Sequence, residues 1–193
     1  MLTLLERPVV ILRRDFANHP WHVRDEAGEL LAVARYRPRP GVRVRRLTPG
    51  TIDTRSVAME FSAADGAPLF TVARSARNLL SVTGSDGVTH GSVHHTRRPS
   101  ARRGGVLYDL SDADGRQVGR MALRPFAEFD PRLTAAPGPS NSVIFDQEGV
   151  DVGRAFRYAN HHARHRELRF AAPVSARLVG LCIAAEVVAE PDL

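Results

Sequence analysis

The run from Val174 to Ala189 constrains this chain more than any other stretch of it. Pro173 precedes it and Pro191 follows it, a pattern that starts and stops a helix. Leu178, Val179, Leu181, Cys182, Ile183, Ala184, Ala185, Val187 and Val188 point in every direction around such a helix. A helix apolar on all faces must be buried on all faces. About 16 residues rise roughly 24 Å, short of the roughly 20 apolar residues that span a bilayer. The expected element is therefore a helix over 173–190 inside a protein core, not one lying on a sheet edge. Arg177 and Glu186 sit near its two ends with signs opposite to those the helix dipole favours, so each should meet water or a partner at the mouth of the surrounding structure.

The rest of the chain supplies material for that surround. Turn signals recur at Asp25–Gly28, Asp65-Gly66, Asp86-Gly87, Asp112–Gly115 and Asp146–Gly149. Aspartate and glycine tolerate the left-handed conformations that tight hairpins need. Short segments of alternating apolar residues flank each signal: Trp21–Val23 and Leu30–Ala34, Val57–Phe61 and Leu69–Val72, Leu79–Val82 and Val88–Val93, Val106–Tyr108 and Val118–Met121, Val143–Phe145 and Val150–Tyr158. That period is the strand period, and successive hairpins make an antiparallel meander. Arg37–Gly41, Thr96–Gly105 and Asp130–Ser142, rich in proline, glycine or arginine, read as loops. None is long enough to divide the chain, so residues 1–193 read as a single domain.

Three motifs together resemble the LURP-one-related group, and through it the phospholipid scramblase and Tubby C-terminal families. They are Trp21-His22-Val23-x-Asp25-x-x-Gly28-x-Leu30, Asp112-x-Asp114-Gly115-x-x-Val118-Gly119, and the run Ala176-Arg177-Leu178-Val179-Gly180-Leu181-Cys182-Ile183-Ala184-Ala185. The resemblance covers roughly Val9 to Val188. It implies a mainly β protein, a closed antiparallel barrel of about twelve strands around a buried hydrophobic C-terminal helix. It also suggests binding of anionic lipid. The chain departs from the pattern in having one cysteine, where scramblases carry a cysteine-rich stretch and a calcium-binding segment, and no lysine, where Tubby-like domains use lysine and arginine on phosphoinositides.

All 27 basic residues are arginine, against 21 acids, for a net charge of +6. The excess is local. Residues 1–110 hold 17 arginines and 10 acids, and the remainder is close to neutral. Arg35, Arg37, Arg39, Arg43, Arg45 and Arg46 occur without an intervening acid. The i, i+2 spacing puts Arg35, Arg37 and Arg39 on one side of an extended segment, and Arg43 and Arg45 repeat it. Such a row can grip phosphates bidentately, or it can simply be a solvated face. These six form the candidate ligand site. A second cluster, Arg97, Arg98, Arg102 and Arg103, lies near His94 and His95.

Other chemistry finds less support. His161 and His165 have a metal-binding spacing only on a helix, and Arg164 and Arg166 oppose a dication, so a polar turn between Arg157 and Leu168 is expected instead. Asp112-Ala113-Asp114-Gly115 opens like a calcium loop, but position twelve is Leu123, which leaves a hairpin turn. No phosphate-loop, dinucleotide or nucleophile-elbow motif occurs. No catalytic residue, cofactor or metal is therefore expected. A single Cys182 inside the apolar run reads as a buried, inert thiol. The aromatics fall mostly in apolar alternation, which ranks nucleic acid below lipid as a partner. The expectation is a non-enzymatic barrel that binds anionic phospholipid or another phosphate ligand through arginines. It would be cytoplasmic and peripheral to a membrane, as no secretory signal is read at the N-terminus. The alternatives are a protein- or small-molecule-binding barrel without a membrane role, or a nucleic-acid-binding protein.

Overall fold

The structure is a computed structural model that describes residues 7–15, 19–38, 57–76, 78–97, 106–123, 140–159, 164–171 and 173–188. The described residues form twelve strands and one helix. In chain order the strands are β1 Val9–Arg14, β2 Trp21–Arg24, β3 Leu30–Pro38, β4 Val57–Ala63, β5 Pro68–Ala76 and β6 Leu79–Gly84. They continue as β7 Thr89–Arg97, β8 Val106–Asp112, β9 Gln117–Leu123, β10 Ser140–Asp146, β11 Asp151–Ala159 and β12 Arg164–Phe170. Helix α1 is Ala176–Val188. Each strand pairs antiparallel with its chain neighbours, and β1 pairs with both β2 and β12. The result is a closed barrel with no free sheet edge among the described strands.

Five of the connections are copies of one turn. In each, a glycine at φ between +77° and +90° donates its N–H three residues back, as Gly28 does to the Asp25 carbonyl at 3.0 Å. Only glycine takes that φ without strain. An aspartate carboxylate closes the loop, at 2.9 Å from Asp25 Oδ1 to the Glu29 N–H and from Asp86 Oδ1 to the Val88 N–H. The strand register slips beside each turn, for example between Val23 and Arg24 and between Ile144 and Phe145. That is the bulge expected when the left-handed glycine adds one unpaired residue. All five turns sit at one rim of the barrel, because antiparallel connections alternate ends. The other connections attach at the opposite rim.

Helix α1 lies inside. Leu178, Val179, Leu181, Cys182, Ile183, Ala184, Ala185 and Val187 are all at most 2% exposed, and they share one core with inward residues of the strands. Their burial supplies about 1.5–3 kcal/mol for each large aliphatic side chain. Glycines in the wall make room for the helix. A Cβ on Gly119 would fall 2.7 Å from Leu178 Cδ1 and 2.6 Å from the Phe145 carbonyl oxygen. Ser175 rather than Pro173 sets the helix start, since its hydroxyl accepts the Leu178 N–H at 3.2 Å. The helix accordingly runs from Ala176 to Val188, inside the expected 173–190. Among the described residues no helix is long and apolar enough to cross a membrane.

Four local expectations are corrected. β10 begins at Ser140, inside the expected loop 130–142, where β11 pairs with it. β3 continues through Arg37 to Pro38, because a proline at the last position of a strand removes only a terminal donor. β7 likewise continues to Arg97. The expected polar turn between Arg157 and Leu168 is mostly sheet: β11 runs to Ala159 and β12 starts at Arg164. His165 therefore stands on a strand, where the helical i, i+4 argument does not apply, and His161 lies outside the described residues.

Candidate functional site

The two kinds of connection differ in composition. The five tight turns, residues 25–29, 64–67, 85–88, 113–116 and 147–150, hold seven acids and a single arginine, Arg116. The segments joining strands at the other rim, 15–20, 39–56, 77–78, 98–105, 124–139 and 160–163, hold eleven arginines and four acids. The tail after α1 adds Glu190 and Asp192. The eleven arginines lie outside the described residues, and among the described turns Arg7 pairs with Asp25 and Glu29 and Arg169 with Glu26. The end where the tight turns sit is called the acidic rim and the end where the arginine-rich segments attach the basic rim, after the composition of their connections.

Two of the six expected site residues fall on described strands. Arg35 and Arg37 are exposed on the outer face of β3, two residues apart, as the strand period requires. The segment is free of acids in sequence but not in space. β4 brings Glu60 opposite Arg35 in register, and Glu60 Oε2 lies 2.8 Å from Arg37 Nε. Arg39, Arg43, Arg45 and Arg46 lie outside the described residues, as do Arg98, Arg102 and Arg103 of the second cluster.

The structure also builds a polar cluster inside the barrel, which the sequence reading did not nominate. It occupies the basic-rim end of the interior, where α1 ends. Glu186 is fully buried, and its carboxylate accepts from Arg157 Nε at 2.7 Å and Arg157 Nη2 at 2.8 Å. Arg166 Nη1 approaches the same carboxylate at 3.5 Å. Arg157 comes from β11 and Arg166 from β12. Arg166 also lies over the ring of Trp21, with its guanidinium carbon 5.1 Å from the ring centroid. Arg14, from the end of β1, lies over the same ring at 4.7 Å and donates to the Tyr36 hydroxyl at 3.1 Å. Trp21 is wholly buried, and its Nε1–H has no hydrogen-bond partner among the described residues.

Electrostatics holds Arg157 charged. Burial alone would depress the Arg157 pKa, but the Glu186 carboxylate, its hydrogen bonds and Tyr108 outweigh that and raise it above the ordinary arginine value. Tyr108 on β8 shares a hydrogen bond with Arg157. Burial raises its phenol pKa above 10.0, a rise that the Arg157 charge partly opposes. At the opposite end of α1, Arg177 Nη1 lies 3.7 Å from Asp112 Oδ2 of the β8–β9 turn. Both terminal charges of the helix therefore meet partners at the barrel mouths, as their unfavourable dipole positions demand. Cys182 is buried midway, and desolvation pushes its thiol pKa far above the usual range, which makes it inert.

A sequence signal for the interior cluster exists. Inward positions read Val10, Leu12, Arg14 along β1 and Phe170, Leu168, Arg166 backward along β12. In each an arginine ends an apolar alternation on the buried face. Among the described residues no group of three or more His, Cys, Asp or Glu side chains is placed to hold a metal.

No protein-family model matches the chain, and no curated protein matches it. Among solved structures it is similar to the X-ray structure of a protein from Arabidopsis thaliana. The two share 13% identity over 96% of this chain and 91% of that one, with a TM-score of 0.52. At that identity the likeness establishes the fold alone.

Proposed function

We propose that this chain is a non-enzymatic binding module of the LURP-one, scramblase and Tubby type, which attaches to anionic phospholipid at a membrane surface through the arginines of its basic rim. The observation that supports the reading is the composition of the connections: seven acids and one arginine in the five tight turns, against eleven arginines and four acids in the segments that leave the opposite ends of the strands. Thirteen helical residues separate the ends of α1, which corresponds to roughly 20 Å. The screening length at physiological salt is about 8 Å. In this reading an anionic surface meets the barrel at the end where the arginine-rich segments attach, and the acidic turns are at the other end, beyond the screening length. Each arginine near such a surface contributes about 1 kcal/mol, and its planar fork grips phosphate oxygens in pairs.

Vesicle flotation tests this. At moderate salt the protein should float with vesicles containing anionic lipid and not with neutral phosphatidylcholine vesicles. The double change Arg43→Glu, Arg45→Glu should abolish the difference without lowering the melting temperature. Equal, negligible recovery with both kinds of vesicle would refute the proposal.

A further inference from the structure

We infer that the cleft between the start of β1 and the β2–β3 turn receives a cationic side chain, arginine or lysine, from an extended basic segment of a partner protein. The cleft lies at the acidic rim, so the inference does not depend on the membrane proposal, which concerns the other end of the barrel. Its volume is about 430 Å³, and it is lined by Arg7, Pro8, Val9, Asp25, Glu26 and Ala27. Sites that hold a small organic group run from roughly 300 to 1,000 Å³. A bare ion needs far less room. Among the described residues no group of three His, Cys, Asp or Glu side chains is placed to coordinate one.

The lining joins an apolar part to a charge imbalance. Val9 points to the outer face, since Val10 beside it belongs to the core. With Pro8 and Ala27 it offers a surface on which the alkyl stem of a long basic side chain can lie. The charges form two triplets, each an arginine between two carboxylates. Arg7 Nη1 is 3.8 Å from Asp25 Oδ2, and Arg7 Nη2 is 3.6 Å from Glu29 Oε2. Arg169 Nη1 is 3.5 Å from Glu26 Oε1, and its Nε pairs with Glu167. Arg24 adds a third cation, with Nη1 donating to the Gly28 carbonyl of the same turn at 2.7 Å.

Three arginines therefore meet four carboxylates, which leaves one negative charge. The lining residues alone, Arg7 against Asp25 and Glu26, leave the same single charge. The excess is accessible, because the Glu26 and Glu29 side chains are each 68% exposed, against 9% for Asp25 and 10% for Glu167. One cation entering beside Glu26 brings the balance to neutral. An anion would meet arginines that already face carboxylates. The cleft is open on one side, so a main chain can run past while a single side chain enters. A guanidinium suits it better than an ammonium, because its fork matches a carboxylate.

A short capped peptide with one central arginine among glycines and alanines is the probe, added to the full chain labelled with 15N. The backbone amide resonances of Val9, Ala27 and Gly28 should shift saturably, and less strongly as salt rises. The same peptide with norleucine keeps the stem without the charge and should bind about tenfold more weakly. Glu26→Gln should weaken the arginine peptide by about the same factor and leave the melting temperature within about 3 °C of the parent. Three results overturn the inference: no saturable shift, equal binding of the norleucine peptide, or equal affinity in Glu26→Gln. Sedimentation of the protein alone tests the other occupant. A mass constant with concentration is expected. Association that Glu26→Gln abolishes would place an arginine of a second copy in the cleft and overturn the partner reading.

Discussion

Replacing Glu186 by glutamine should be among the most damaging single-atom changes available in this protein. The carboxylate has no exposure to solvent, while the side chains of Arg157 and Arg166 are 16% and 9% exposed. Glutamine preserves the volume and one carbonyl oxygen, but it removes the charge and turns an NH2 group toward a guanidinium. Two largely desolvated cations then lose their shared counter-ion. Removing one partner of a buried ion pair costs about 3–5 kcal/mol. The slight exposure of Arg157 admits some water, so the lower half of that range applies, about 3–4 kcal/mol. For a chain of this length each kcal/mol moves the melting temperature by about 2–4 °C, which gives a fall of about 10 °C. Calorimetry and urea unfolding on the full chain measure it. Adding Arg157→Gln to Glu186→Gln should recover part of the loss, because the second change removes one stranded charge. The solvent-facing pair at the other mouth is the internal control. Arg177 is half-exposed beside Asp112, so Arg177→Ala should change stability by less than about 1 kcal/mol. If Glu186→Gln melts within about 3 °C of the parent, the cluster is solvated and the reasoning fails.

Three further outcomes follow from the same geometry. Leu181→Asp puts an unpaired charge where the side chain is 1% exposed; the protein should fail to fold, and a soluble variant with the parent melting temperature would remove α1 from the centre of the barrel. Gly119→Ala should destabilise by about 1–3 kcal/mol, because the added methyl meets both the Phe145 carbonyl oxygen and Leu178 Cδ1; pairing it with Leu178→Ala should recover only part, as the carbonyl cannot be trimmed. Burial holds the Tyr108 phenol neutral beyond the ordinary value of 10.0. The unfolded chain releases that proton first, so stability is intact below about pH 10 and falls above it. Tyr108→Phe should flatten the alkaline limb of the stability curve, and an unchanged limb would refute the assignment.

The fold was legible because its two decisive features are local. Each hairpin announces itself by aspartate and glycine at fixed offsets, and those same residues make the 2.9 Å carboxylate bonds and the left-handed glycines observed. The apolar run could satisfy its burial only inside something closed. The strand limits were less legible wherever pairing partners, not propensity, decide them. β12 carries Arg164, His165, Arg166 and Glu167, which resemble a polar turn, yet its backbone is fixed on both sides by β1 and β11. Pro38 and Arg97 were likewise held in strands by their neighbours across the sheet.

The site shows the opposite balance. Counting charge along the chain singles out Arg35 to Arg46, the densest run, but density in sequence does not measure isolation in space. Glu60 enters from the next strand and meets Arg37. The arginines with the most unusual surroundings, Arg14, Arg157 and Arg166, are scattered over three strands and are inconspicuous in any window. What marks them is phase: each occupies an inward position at the basic-rim end of its strand, where the alternation calls for an apolar side chain. A charged residue in the buried phase is expensive unless something compensates it, and here Glu186 compensates Arg157 and approaches Arg166. Glu186 was itself conspicuous as an acid at the wrong end of an apolar helix. The exception in the helix and the exceptions in the strands are therefore one feature seen from two sides. Pairing such violations across elements would have located the interior cluster before any coordinates did.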